Sequence, residues 1–271
     1  MLEFAHILAN GHTMAEEKEQ EGMQEQELTQ HLIYWQEQLD HSSELLHAPD
    51  DDLQPGVKST HKARISFVLT EDLSREVRAF SRHEQTTLYV CLLSTFQAIL
   101  HSYTGQTDLM LASPMTFCRP EQTHINILQN TLVLRTNLAN NPSFRELLHR
   151  TDEVVSQART HHTVPYDIQL QQIRPASKRK PGVRVAFSLE GTLPTLLPNW
   201  TTSVADVRPA ADEFDLSLVL DNRLAGLSGY IEYNVDLFEK ATIERMQGLW
   251  ESLLASIIRY PALRLSDFAP F

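Results

Sequence analysis

The sequence predicts an α/β fold of the mixed-sheet sandwich kind, on three observations. Stretches with a period of two alternate along the chain with stretches whose apolar residues recur every three or four positions, as strands and helices require. Their interleaving is irregular and broken by several long connections, unlike the regular strand–helix alternation of a Rossmann fold or a TIM barrel. No internal repeat and no Gly-x-Gly-x-x-Gly occurs.

The elements follow in order. Leu2, Phe4, Ala5, Ile7 and Leu8 read as the end of a packed helix stopped at Asn10-Gly11, which implies a surface for it to pack on. Thr13 to Leu46 is polar and helix-prone. Its first half reads as solvated, its second as an amphipathic helix with Leu28, Leu32, Ile33, Trp35 and Leu39 as apolar positions. Ala48 to Val57, with Pro49, Pro55 and Gly56, reads as a linker. In Lys62 to Thr70 the alternation puts Ala63, Ile65, Phe67 and Leu69 on one face of a strand and Arg64, Ser66 and Val68 on the other. Thr70-Glu-Asp-Leu opens a helix whose inner face is Leu73, Val77 and Phe80. Thr86 to Tyr103 predicts a long apolar helix central to the core, and Asp108 to Ser113 and Asn130 to Leu138 short buried strands. Pro142 to His161 predicts an amphipathic helix with Phe144, Leu147, Leu148, Val154 and Val155 inward, and Pro165 to Ile173 a shorter one. Val183 to Leu189, Phe214 to Leu220 and Leu227 to Tyr233 read as strands, and Asp236 to Tyr260 as a closing amphipathic helix. The chain divides into a helical lead-in over 1–47, a linker over 48–61 and a lobe over 62–271.

With 271 residues, 42% of them hydrophobic and 21% charged, the chain is an ordinary globular mixture with length for one large or two small domains. The net charge of −12 argues against a nucleic-acid partner. Of the two cysteines, Cys91 sits in an apolar run and reads as a small buried hydrophobe, and neither belongs to a Cys-x-x-Cys pair. No disulfide framework, metal site, signal peptide or apolar run of membrane-spanning length is expected, and the usage suits a reducing cytoplasm.

No P-loop, His-Glu-x-x-His or Gly-x-Ser-x-Gly is present. Gly226-Leu227-Ser228-Gly229 falls one residue short of a nucleophile elbow and reads as a turn. His161-His162 is the most attractive candidate, because a histidine titrating near neutrality is a natural general base. The plainer reading is a helix end with one histidine capping carbonyls. Asn130 is placed to hold a substrate carbonyl or amine, or to make a strand-edge hydrogen bond. Arg135 suits an anion, or a structural ion pair. Arg174, Lys178, Arg179, Lys180 and Arg184 form a basic cluster that would steer an acidic partner, or simply a solvated loop.

Several of these pieces stand in an order that resembles the condensation domains of nonribosomal peptide synthetases, within the chloramphenicol acetyltransferase-like superfamily. Tyr34-Trp35-Gln36 is similar to that family's Tyr…Trp-Gln signature. Gly105-Gln106-Thr107-Asp108, followed by Ala112-Ser113-Pro114, is similar to its GQ-D…G-P strand entry. Residues 125–135, INILQNTLVLR, resemble IG-FVNTLVLR, and residues 161–167, HHTVPYD, resemble HQDVPFE. Phe214-Asp215-Leu216, residues 229–234 (GYIEYN) and Asp236-Leu237-Phe238 resemble the closing FDL…G-IEYN-DLF region. The likeness runs from Leu2 onward. The departures are Asn126 and Gln129 where the family has Gly and Val, Thr163 where it has Asp, and only part of the RD-SR-PLFQV pattern in residues 174–181.

The resemblance implies the C-terminal lobe of a two-lobe, chloramphenicol acetyltransferase-like condensation domain, which joins aminoacyl or peptidyl thioesters carried on phosphopantetheine arms. It implies a tunnel wall at Asn130, Thr131, Arg135 and His161, and a carrier-protein contact at Arg174, Lys178, Arg179 and Lys180. No cofactor bound by the chain itself is implied, only the arm of a partner carrier protein. The family's catalytic His-His-x-x-x-Asp-Gly motif is absent from these residues, and His161-His162 is not it, since no Asp-Gly follows. The expectation is an inactive partial domain unless a separate N-terminal lobe completes it. Two other readings stay open: a non-catalytic module binding a carrier protein or another partner, and an oligomeric acyltransferase with a site between protomers and His161 as base. Exposed apolar surface, and with it self-association, is expected where the missing lobe would lie.

Overall fold

A computed structural model describes residues 26–39, 61–121, 124–172, 183–190, 201–207, 214–222 and 226–268. The apolar segment Met1–Ala9 and the linker over 48–61, apart from His61, lie outside the described residues. So do Arg174, Lys178, Arg179 and Lys180.

A seven-stranded mixed sheet runs in the order β1-β7-β6-β4-β2-β3-β5. Its strands are β1 (Lys62–Val68), β2 (Asp108–Glu121), β3 (His124–Asn137), β4 (Val185–Glu190), β5 (Thr201–Val207), β6 (Leu216–Asp221) and β7 (Ser228–Asn234). The helices are α1 (26–39), α2 (Glu71–His83), α3 (Leu88–Thr104), α4 (Phe144–Thr160), α5 (Tyr166–Gln172) and α6 (Lys240–Arg259). β1 with β7, β7 with β6, and β2 with β3 are antiparallel, whereas β4 runs parallel to both β2 and β6, and β5 parallel to β3.

Helix ends fall where side chains can satisfy free backbone groups. The Thr70 hydroxyl accepts the amide of Leu73 ahead of α2, and Thr87 accepts that of Val90 ahead of α3. Ser143 and Glu146 form a reciprocal capping box on α4. α3 ends at Gly105, whose φ of +67° is the left-handed conformation that glycine adopts without strain.

α3 is buried on every side from Val90 to Leu100, as a helix apolar all round must be. Phe187 of β4 packs against Phe96 and Tyr89 of α3, with ring centroids 6.1 and 5.3 Å apart. Phe67 of β1 meets Trp250 of α6 edge-on at 5.6 Å. A buried relay ties three elements: Thr151 of α4 donates to Gln97 of α3 at 2.8 Å, and the Gln97 amide donates to Thr136 of β3 at 2.9 Å. Cys91 is fully buried, and burial pushes its thiol up to about 12.

Four differences from the sequence reading have physical causes. β2 and β3 are not two short strands but a ladder paired from Asp108–Asn137 to Glu121–His124, extending past Pro114 into residues with no sustained apolar alternation. Backbone pairing carries that extension, and side-chain pattern does not report it. Asn130 accordingly lies inside β3 rather than at its start. β5 is absent from the sequence reading, since its TTSVADV carries little apolar signal and it follows a connection over 191–200. On α1, Trp35 and Leu39 are buried, but Leu28 and Ile33 remain 48% and 47% exposed, because the helix turns one narrow stripe inward.

Candidate functional site

α4, the turn that follows it, β3 and α1 converge on residues 161–164. The ring of His161 lies flat against Tyr34 of α1, with centroids 4.0 Å apart and planes 10° off parallel. It meets His31 edge-on, and the two Nδ1 atoms are 2.6 Å apart. Trp35 donates its indole N–H to the His161 carbonyl at 3.1 Å. Burial lowers the pKa of His161 below its ordinary 6.5, and the charge of His31 acts in the same direction. Burial likewise pushes Tyr34 up to about 12.

His162 points elsewhere. Its ring stacks on Phe117 of β2 at 4.1 Å, and its Nδ1 lies 2.8 Å from the Arg159 carbonyl, the helix-end capping contact expected of one histidine of the pair. The Arg159 guanidinium sits over Phe117 at 5.5 Å.

Asn130 fixes the turn to the sheet. Its side-chain amide donates to the carbonyls of His162 at 2.7 Å and Val164 at 2.9 Å. Gln169 of α5 continues the attachment, donating to the carbonyls of Thr131 at 3.1 Å and Val164 at 2.8 Å and accepting the amide of Val133 at 3.0 Å. Asn130 and Thr131 are buried, and Asn130 Oδ1 and Thr131 Oγ1 have no hydrogen-bond partner among the described residues.

Arg135 forms an ion pair, with both oxygens of Asp108 accepting from it at 2.9 and 2.8 Å, and it also donates to the Gln38 carbonyl at the end of α1. Of the basic cluster only Arg184 is described, and it pairs with Asp215 at 3.4 Å. Gly229 is not in a turn but in β7, against the backbone of β6. Asn130 thus reaches the turn that carries His161, Thr131 is tied to α5 through Gln169, and Arg135 reaches the end of α1.

The sequence does not single out His31 or Gln169. His31 shares a helical face with Tyr34 and Trp35, at spacings of three and four, but nothing local reveals a partner 130 positions away. Among the described residues no cluster of metal-ligating side chains occurs, and no helix is long and apolar enough to cross a membrane.

Chemically, the arrangement offers a half-buried imidazole whose Nδ1 is engaged by His31, an acceptor on Asn130 with no partner among the described residues, and a turn held by Trp35, Asn130 and Gln169.

Residues 13–269 match the family described as Condensation domain. The chain is 32% identical to chondramide synthase cmdD of Chondromyces crocatus over 88% of its own length and 6% of that protein's. To phosphinothricin tripeptide synthetase PhsC of Streptomyces viridochromogenes it is 30% identical, over 90% of its length and 23% of the relative's. It therefore spans less than a quarter of either relative. Among solved structures, the X-domain from teicoplanin biosynthesis superposes with a TM-score of 0.74 at 21% identity, over 95% of this chain and 61% of that one. The condensation domain from the monacolin K polyketide synthase MokA gives 0.70 at 18%, over 92% and 61%. At these identities the structures speak for the fold, and the sequence match for the family: the chain belongs to the condensation domains of nonribosomal peptide synthetases.

Proposed function

We propose that this chain is the C-terminal lobe of a condensation domain, contributing one wall of the tunnel in which an amide bond forms between carrier-bound aminoacyl or peptidyl thioesters. The observation that carries the reading is the junction of two family segments. Asn130 of the NTLVLR stretch holds the HHTVPYD turn through two hydrogen bonds and keeps one buried acceptor without a partner among the described residues. On this reading the acceptor is available to a substrate amide, and His161 lines the same region.

The base is supplied from outside these residues, by a lobe carrying His-His-x-x-x-Asp-Gly, since that motif is not among them. General base action contributes roughly 10²- to 10⁴-fold, so the chain alone is expected to form no peptide bond above background. The carrier-protein contact is assigned to Arg174, Lys178, Arg179 and Lys180, whose charge suits an acidic partner. The phosphopantetheine arm belongs to the carrier, and no cofactor is required of the chain itself.

The test is reconstitution. Two holo-carrier proteins loaded with different amino acids are mixed with the chain, with and without an N-terminal lobe taken from a condensation domain of the family. Dipeptidyl thioester is then read by mass spectrometry. Product only in the presence of both lobes supports the proposal. Product from the chain alone overturns it, as does failure of the chain to bind either the lobe or a carrier protein.

A further inference from the structure

We propose that the His31–His161 pair is a pH-sensitive latch fastening α1 to the turn after α4, closed while the pair holds at most one proton and released when both rings are protonated. The inference does not rest on the reading above. A neutral imidazole has one nitrogen that donates and one that accepts, whereas an imidazolium donates from both. The Nδ1–Nδ1 contact of 2.6 Å therefore requires an unprotonated Nδ1 on one ring. With both rings charged, two donors face each other across that distance and two like charges lie with centroids 4.8 Å apart.

The surroundings supply little to offset that. On α1, Glu27 lies 3.9 Å from His31 Nε2, with a side chain 72% exposed, and it shares the helix with His31. It does not join α1 to the turn. Tyr34 stacks on His161, and its raised pKa keeps it neutral. At the end of α4, Arg159 and His162 are both engaged with Phe117 of β2, and neither brings a negative charge. At the far end of α1, Arg135 is paired with Asp108. No carboxylate among these groups bridges the two histidines. The lowered pKa of His161 has the sign that such a contact requires.

The joint matters because, among the described residues, a second hydrogen bond of α1, from Trp35, also ends on His161, at its carbonyl. Arg135 holds the Gln38 carbonyl at the far end of the helix.

Hydrogen exchange of the α1 amides in the full chain, divided by the intrinsic rate at each pH, gives the opening constant of the helix. Between about pH 7.5 and about pH 5, the range in which histidine charges, that constant is expected to rise roughly fivefold, the effect of losing one net hydrogen bond. The α3 amides serve as the reference that does not move. In His31→Gln, which can bond but takes up no proton, the rise is expected to vanish. His161→Gln makes the same test from the other ring, with the Trp35 bond to the backbone carbonyl retained. A wild-type helix whose opening is flat with pH, or a variant that opens with the same pH dependence as wild type, overturns the proposal.

Discussion

Gln169 and Val133 are joined as if the glutamine side chain were part of a strand. Among the described residues the pairing of β3 with β5 runs to Asn130, and beyond it the Gln169 side chain accepts the Val133 amide and donates to the Thr131 carbonyl. A fully buried side-chain amide thus takes over the backbone groups of a sheet edge. Gln169→Leu is expected to cost about 2–4 kcal/mol in urea unfolding, because it takes the side-chain partner from the Val133 amide and the Thr131 carbonyl in a buried place. A cost below about 1 kcal/mol would show that water or a neighbouring residue replaces the amide.

Arg135 holds a carboxylate with two parallel bonds and a helix end with a third, a geometry that lysine cannot reproduce. Arg135→Lys is expected to lower stability by about 1–2 kcal/mol. The two partner side chains are about four-fifths buried, so screening by salt is only partial. The variant should also raise hydrogen exchange in α1 more than in α3. Uniform exchange across both helices would rule out the Gln38 contact as an anchor.

At Gly229 a β-carbon would collide with the Val219 carbonyl and come within 2.8 Å of Leu220 Cδ2. Gly229→Ala is expected to destabilise by roughly 2 kcal/mol or more, as overpacking against backbone does. Gly226→Ala, whose nearest contact is the Leu69 carbonyl at 3.4 Å, serves as the control and is expected to change little. Equal thermal unfolding midpoints for the two variants would refute the close approach of β6 and β7.

Glu84, at the end of α2, takes both bonds from Arg145 in the first turn of α4, each 2.7 Å long. The Arg145 bonds hold its carboxyl below the usual 4.5. A carboxyl with a lowered folded pKa contributes stability above its unfolded value and loses it as pH falls further. The gap between wild type and Glu84→Gln should therefore be open at neutral pH, close below about pH 4.5, and narrow in high salt, because Arg145 is exposed. A gap unchanged from neutral to acid pH would mean that the ion pair carries none of it.

Much of the architecture was legible locally. The alternation in Lys62 to Thr70 and the helix start at Thr70 are decided by neighbours within a turn or two, so sequence spacing reports them. The apolar run of α3 forecast its central place in the core. The helix-end role of His162 and the ion-pair role of Arg135 were among the readings available from residue type alone.

The long β2–β3 ladder, β5 and the His31–His161 contact were not legible. Each depends on backbone pairing or on side chains brought together from far along the chain, and neither leaves a local periodicity. By itself the sequence determined the type and order of most elements, the helix start at Thr70 and the family. The tertiary structure alone decided which histidine faces α1 and which faces β2, and that Asn130 spends its amide on the turn and keeps its oxygen. Those choices follow from how far α4 extends before it ends and where β3 lies when it does, which are distances in space rather than along the chain.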